Sequence, residues 1–195
     1  MDDLKNINKP MKADQITNLA SQFGFTASCD DLTGSLLRML VATWKQSTIL
    51  ELGTGVGYST AWILDGMDNS SKMYTVEMDE NCSNIAKEVL GDDPRLHLIV
   101  SDGAVYIEEH INKRFDFIFA DTWPGKFYLV EEVLNMVKPG GIYLIDDLNP
   151  QPNWPDGHEE KVSKLISFLE TRNEFHMSKL NWSTGLILMT KKSLL

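Results

Sequence analysis

Ile49-Leu50-Glu51-Leu52-Gly53-Thr54-Gly55-Val56-Gly57-Tyr58-Ser59 is the stretch from which the rest of the chain can be read. An apolar strand runs into a glycine-rich turn, and the turn opens a helix. Glycine lets the backbone turn sharply and come close to a ligand, and a helix start presents amide donors that have no partner within the helix. A polar ligand group is therefore expected against Gly53 to Gly57. Glu77 closes the next β-branched run, 20 residues after Gly57. At that offset a carboxylate can accept both hydroxyls of an adenosine ribose.

Outward from this turn, short β-branched runs alternate with helical stretches, the pattern of a parallel sheet covered on both faces. Strands are expected at 48–52, 72–77, 96–100, 115–120 and 141–146, and helices at 59–67, 80–90, 105–111 and 127–137. In the last of these helices Val130, Val133, Leu134 and Val137 recur at helical spacing. Residues 148–157 hold Pro150, Pro152, Pro155 and Trp154, which predicts a stiff, non-helical loop at the carboxyl edge of the sheet. A helix over 158–172 follows, and 174–182 and 185–190 read as strands joined by Ser183-Thr184. So short a connection requires antiparallel pairing. The expected fold class is α/β: a doubly wound, mostly parallel sheet of seven strands that ends in an antiparallel hairpin. Ahead of it, 13–23 and 32–44 look helical, so residues 1–47 read as an N-terminal helical cap and 48–195 as the sheet-bearing unit. The cap would cover a cofactor cleft or make a subunit contact.

A length of 195 residues suits one domain. Hydrophobic residues at 43% and charged residues at 24% are globular proportions and exclude a disordered or fibrous chain. Lys plus Arg number 18 against 28 Asp plus Glu, a net charge of −10 that repels phosphate backbones and anionic lipid. No nucleic acid and no membrane is expected as a partner. Cys29 and Cys82 lack a CxxC or His-rich context, so they read as reduced thiols. The polar start Met1-Asp2-Asp3 lacks the features of a signal peptide, and no apolar run approaches the roughly 20 residues of a membrane helix. A soluble, cytoplasmic protein is expected.

Two cofactors compete for the glycine turn. The dinucleotide pattern is G-x-G-x-x-G, whose third glycine allows close helix packing. Here the third glycine comes one position early and Tyr58 stands in its place, which disfavours NAD. The run from Glu51 to Ser59, then Val76-Glu77-Met78-Asp79, then Ser101-Asp102-Gly103-Ala104, resembles the successive cofactor motifs of class I S-adenosylmethionine-dependent methyltransferases. From about residue 32 onward the chain is most similar to the small-molecule O-methyltransferases of the catechol and caffeoyl-CoA type. That resemblance implies the Rossmann-like methyltransferase fold and S-adenosylmethionine as cofactor. It sets Gly53 and the segment Gly55 to Ser59, Tyr58 included, against the methionine part, with Glu51 and Thr54 counted among the binding residues. It sets Glu77 on the ribose hydroxyls, Met78 on the adenine, and Asp102, Gly103 and Ala104 along the adenine edge. Trp123 would correspond to an aromatic beside the adenine.

Strand four ends at Asp121 and strand five at Asp146-Asp147, on the edge where open α/β sheets bind ligands. Carboxylates converging there repel unless protonated or bridged by a cation, and oxygen-only ligands suit magnesium or calcium. In the metal-dependent enzymes that the chain resembles, an Asp after strand four and an Asp-Asn pair after strand five hold the metal. Asp121 and Asp146 match the aspartates, and Asp147 stands where the pattern has asparagine. The family pattern Asp-x-x-Lys-x-x-Tyr is also altered: Pro124 occupies the lysine position, Lys126 lies two residues later, and Tyr128 is shifted by one. An insertion at Pro124-Gly125 could return Lys126 to the site or leave it solvated at a helix start. His158 is a candidate general base or an exposed capping residue, and Asn153 and Trp154 belong to the same proline-rich loop. Ser183, Thr184 and Gly185 are read as structural.

The expected activity is methyl transfer from S-adenosylmethionine to an oxygen of a small-molecule acceptor. Asp121, Lys126 and His158 are the catalytic candidates, a divalent metal such as Mg²⁺ the candidate second cofactor, and a homodimer the assembly suggested by the resemblance. The alternatives are an inactive S-adenosylmethionine-binding module, a nitrogen or carboxylate acceptor, and an NAD-dependent oxidoreductase.

Overall fold

The computed structural model describes residues 2–5, 7–152 and 154–193. Two helices come first, α1 (Ala13–Phe23) and α2 (Asp31–Val41). Strands and helices then alternate as β1 (Thr48–Leu52), α3 (Tyr58–Gly66), β2 (Lys72–Glu77), α4 (Glu80–Leu90), β3 (Leu96–Val100) and α5 (Gly103–Glu109). They continue as β4 (Phe115–Ala120), α6 (Val130–Met136), β5 (Val137–Ile145), α7 (His158–Glu170), β6 (Phe175–Leu180) and β7 (Leu186–Lys191). The seven strands form one sheet in the order β3-β2-β1-β4-β5-β7-β6, parallel throughout except for β7, which pairs antiparallel with both β5 and β6. This is the doubly wound sheet with a terminal hairpin that the alternation of runs predicts.

The central strands are apolar on both faces because both faces are covered. Ile49, Phe117, Phe119 and Leu144 join Ile16, Leu37 and Trp62 of the helices on one side. Their strand neighbours Leu50, Leu52, Ile118 and Tyr143 join Tyr106, Val133 and Leu165 on the other, as the two-residue period of a strand requires. The N-terminal helices thus share a core with the sheet. Gly34 of α2 lies so close to α3 that a Cβ there would stand 2.5 Å from the Trp62 indole.

Several boundaries differ from expectation: α2 ends at Val41 rather than at 44 and α5 spans Gly103–Glu109 rather than 105–111, and two shifts bear on the site. The helix expected over 127–137 occupies only Val130–Met136, because residues 124–129 are consumed by a tight turn with Leu129 in the left-handed region (φ 56°). Strand β5 begins at Val137, which pairs with Phe115 before a register shift, rather than at residue 141. Among the described residues no helix is long and apolar enough to cross a membrane, and Cys29 and Cys82 are both free thiols.

Candidate active site

Strand register assembles the site. Leu52 pairs with Val76 on one side and with Ala120 on the other, and Ala120 in turn pairs with Ile145. The residues that follow, Gly53, Glu77, Asp121 and Asp146, therefore leave the carboxyl edge side by side. Between β1 and β4 the strand order reverses, the point at which such sheets open a ligand crevice. The Gly53 amide donates to the Val76 carbonyl (3.0 Å) and the Asp121 amide to the Leu52 carbonyl (3.0 Å), which holds the two loops against one another.

The glycine turn is a cradle that side chains would fill. Gly53 has φ +99°, and a Cβ there would stand 2.9 Å from the Asp121 carbonyl oxygen. The Gly55 amide donates to one Glu77 carboxylate oxygen (2.8 Å) and the Asp79 amide to the other (3.0 Å), so Glu77 is fixed at the rim of the loop. Gly57 (φ +93°) starts α3, and a Cβ there would come within 3.0 Å of Ala86 and Leu90. The close helix packing that a dinucleotide turn assigns to its last glycine is thus done here by Gly57, and Tyr58 lines the cavity on this loop with its hydroxyl donating to Asp31 (2.5 Å). A cavity of about 110 Å³ opens on this loop, lined among others by Gly53, Gly55, Ser59, Glu77, Asp121 and Cys29.

Beneath the turn lies a network that sequence reasoning missed. The fully buried Glu51 accepts from the Thr60 and Thr75 hydroxyls (2.6 Å each) through one oxygen, while its other oxygen has no partner among the described residues. Burial, only partly offset by hydroxyl donors, pushes its carboxyl up to about 7. Thr54 belongs to the same layer, 2.5 Å from the Thr75 hydroxyl. Glu51 therefore supports the loop from below, while Thr54 joins that layer and also lines the cavity. A second unforeseen element is the wall of the cavity between α1 and α2, where the Phe25 ring faces Gly55 and Cys29 lines the space. No periodicity marks that stretch.

On the other flank Met78 is 72% exposed, so it is a surface platform rather than a core residue. Asp102 caps α5 by accepting from the Ala104 amide (2.6 Å), and Gly103 lies against Pro124, 3.1 Å from where its Cβ would be. Trp123 is half-exposed, with the Lys161 ammonium 3.8 Å from its ring centroid.

Pro124 and Gly125 settle the fate of Lys126. Pro124 bridges to Tyr128, the Gly125 amide donates to the Tyr128 carbonyl (2.7 Å), and the Gly125 carbonyl accepts from the Tyr143 hydroxyl. This wedge turns Lys126 inward, where it is 4% exposed and its Nζ stands 3.5 Å from the Asp147 carbonyl oxygen. Burial pulls the Lys126 ammonium down, and the charges of Asp121, Asp147 and Asp146 pull it back up. Burial and then Asp146 push the Asp121 carboxyl well above its ordinary range, whereas Asp146, buried but hydrogen-bonded, is raised to about 6.

The acidic cluster does not fit a divalent ion as expected. Asp146 Oδ1 is taken by the Thr184 hydroxyl and by the Asp147 amide (2.7 Å), and Asp147 has left-handed backbone (φ 63°). Among the described residues no three His, Cys, Asp or Glu side chains are grouped so as to hold a metal. Thr184, read from sequence as structural, thus touches the site directly, and the neighbouring Ser183 hydroxyl donates to Asp30 ahead of α2.

His158 is not an exposed capping residue. It is 6% exposed at the start of α7, packed between Trp154 (centroids 4.5 Å) and Phe127 (5.1 Å), and neither ring nitrogen has a partner among the described residues. Burial and the nearby Lys126 lower its pKa, which makes it a neutral ring in an aromatic setting. Asn153 lies outside the described residues.

The sequence profile of the O-methyltransferase family matches residues 11–191. An Arabidopsis thaliana protein assigned provisionally as a caffeoyl-CoA O-methyltransferase is 28% identical over 120 residues, 58% of this chain and 52% of that one. The chain thus spans about half the length of the curated relatives it matches. Among solved structures, an O-methyltransferase from Bacillus cereus in complex with SAH superposes with TM-score 0.84 at 20% identity, covering 96% of this chain and 94% of that one. The O-methyltransferase TomG from Streptomyces achromogenes, in complex with SAM, gives TM-score 0.83 at 19% identity over 97% and 93% of the two chains. At these identities the superpositions establish a shared fold.

Proposed function

Since the chain belongs to the O-methyltransferase family, we propose that it is an enzyme that methylates an oxygen of a small-molecule acceptor with S-adenosylmethionine. The observation that carries this reading is the rim of the glycine cradle, where Glu77 is locked to the Gly55 and Asp79 amides. Locked there, it presents its carboxylate at the strand end suited to ribose hydroxyls. The relatives that share the fold were solved with SAM or SAH, which supports the same cofactor here. Gly53, Gly55 and Ser59 would hold the methionine part, Met78 and Trp123 would flank the adenine, and Asp102 to Ala104 would border it.

When bound, the cofactor supplies a methyl group on a positively charged sulfur and leaves as a neutral thioether. The chain's own work is to hold the acceptor hydroxyl and receive its proton. Asp121, at the reversal of strand order, carries a carboxyl raised by burial and by Asp146, and a carboxylate made more basic in this way is the group best suited to take the proton. Lys126, whose charge bears on Asp121, would hold the acceptor oxygen as it becomes anionic. His158, with both ring nitrogens enclosed by aromatic rings, shapes that flank and is not assigned the proton. A divalent metal such as Mg²⁺ is left out of this reading, because the donor set around Asp146 does not support it. A homodimer and a cytoplasmic location complete the proposal; light scattering at twice the chain mass would support the former.

Calorimetry tests the reading. S-adenosylmethionine is expected to bind, and Glu77→Ala to weaken binding roughly 10- to 100-fold, the loss of one or two hydrogen bonds to a charged group. No heat of binding at millimolar cofactor would overturn the proposal.

A further inference from the structure

The two edges of the sheet are finished differently. At one, β6 carries Lys179, whose ammonium pairs with Glu170 (2.5 Å), the kind of charge that keeps an edge from joining another chain. At the other, β3 reads Leu96-His97-Leu98-Ile99-Val100, without a charged residue or a proline, and Val100 is exposed. The Met73 amide donates to the Arg95 carbonyl and the Ser101 amide to the Glu77 carbonyl, both at 2.9 Å. Alternate residues of β3 therefore bond β2, which turns the Leu98 and Val100 amides and the Leu96 and Leu98 carbonyls to the open side. A groove of about 680 Å³ lies along that side, and every residue of β3 lines it.

Helix α4 forms one wall of the groove. It leaves the end of β2, where Glu77 pairs with Val100, and runs back toward Leu96. Glu80, Ser83, Asn84 and Lys87 line the groove, and spacings of three and four put them in one row. The row is acidic near Val100, neutral in the middle and basic near Leu96. Lys113 on the opposite wall, 4.7 Å from the Tyr74 ring centroid, adds to the basic end, because Tyr74 pairs with His97. Neither Glu80 nor Lys87 has an ion-pair partner among the described residues.

We propose that this edge is where two copies of the chain meet, β3 pairing antiparallel with β3 of the second copy and Leu98 standing on the two-fold axis. The inference rests on the homodimer proposed above and assigns it a face. A two-fold interface uses the same patch on both copies, so the patch must complement itself. Reversed about Leu98, β3 does so: the Leu98 amide meets the Leu98 carbonyl of the second copy and the Val100 amide its Leu96 carbonyl, as in an antiparallel ladder. The same axis passes the α4 row near Ser83 and Asn84 and brings Glu80 of each copy toward Lys87 of the other. Any extended peptide could satisfy the strand edge, but the row of charges fits its own reverse, which singles out a second copy. Charges so placed fix partner and register more than they add affinity.

Sedimentation equilibrium on the full chain tests this. The wild type is expected to dimerise with a dissociation constant below roughly 10 μM. Val100→Lys, which gives this edge the guard that β6 has, is expected to raise that constant at least about tenfold, and so is Lys87→Glu. Adding Glu80→Lys to Lys87→Glu is expected to bring it back to within about threefold of the wild type. Recovery by the swapped pair cannot come from a damaged fold, and thermal scans on the same samples show that each variant is folded. A dimer indifferent to these substitutions would overturn the proposal while leaving a homodimer through another face, and a swapped pair that stays as weak as Lys87→Glu alone would overturn it too. A chain still monomeric at about 100 μM would overturn both the face and the homodimer. Cofactor calorimetry is read separately, so failure of the methyltransferase reading would register on its own.

Discussion

Glu51 shows how much a single residue can hide. In the sequence it opens the glycine motif and looks like a ligand, yet in the fold it is a buried strut whose hydroxyl donors all come from other elements. Its carboxyl is raised from 4.5 to about 7, so between those values the native state holds a proton that the unfolded chain has lost. The resulting stabilisation is complete below about pH 4.5 and disappears as pH rises through about 7. Glu51→Gln removes the titration while keeping the shape. Its melting temperature is expected to match the wild type near pH 4.5 and to exceed it at pH 8, by an amount on the order of 3 kcal/mol or roughly 6–12 °C. Thermal scans across that range check it; a difference independent of pH would refute the assignment. For Lys126 and His158 the sequence leaves open whether each is enclosed or solvated, and the fold encloses both. His158 is enclosed by Trp154 four residues before it and by Phe127 from a distant loop, and Lys126 is turned inward by a wedge held by Tyr143 and packed on Leu52, long-range contacts that spacing does not carry.

At the scale of elements the sequence was far more informative. The ranges of β1 to β4, α1 and α4 coincide with the runs that periodicity marks, because buried parallel strands are written as β-branched runs between turns and are insulated from context. The stretch from Pro124 to Leu129 was not legible as a wedge. The apolar period of Val130, Val133, Leu134 and Val137 reads back into it as helix, but Gly125 at φ +80° and Leu129 at φ +56° break one. Gly125→Ala tests the wedge. The methyl group would meet Leu52 in a backbone conformation that alanine resists, a combined cost of about 3 kcal/mol. A melting point lowered by roughly 6–12 °C is expected, with a larger loss of methyl transfer than of cofactor affinity, because the wedge aims Lys126 and leaves the glycine cradle intact. Calorimetry and an activity assay on one preparation separate the two.

For the molecule as a whole, reading 1–47 as a cap and 48–195 as a unit understates how they are joined. Ile16, Leu37 and Val41 are fully buried in the same cluster as Ile49, Trp62 and Phe117. A chain of residues 48–195 alone would expose Trp62 and Ile63 to water, and several buried side chains at ~1.5–3 kcal/mol each exceed the margin of a typical domain. Such a fragment is expected to lack a cooperative thermal transition and to bind a hydrophobic dye; a sharp transition would show that the sheet stands alone. The joint is closed from the other end of the chain as well, since Ser183 binds Asp30 and lies 3.0 Å from the Thr33 hydroxyl, while its neighbour Thr184 holds Asp146. During synthesis on a ribosome this ordering has a cost in time. The glycine cradle and Glu77 are made early, but the wall in front of them and Asp146 are fastened only by Ser183 and Thr184, more than a hundred residues further along the chain. A nascent chain therefore passes through a stage with an open cleft and an unanchored roof, and its final closure is a long-range, late event of the kind that sets folding speed.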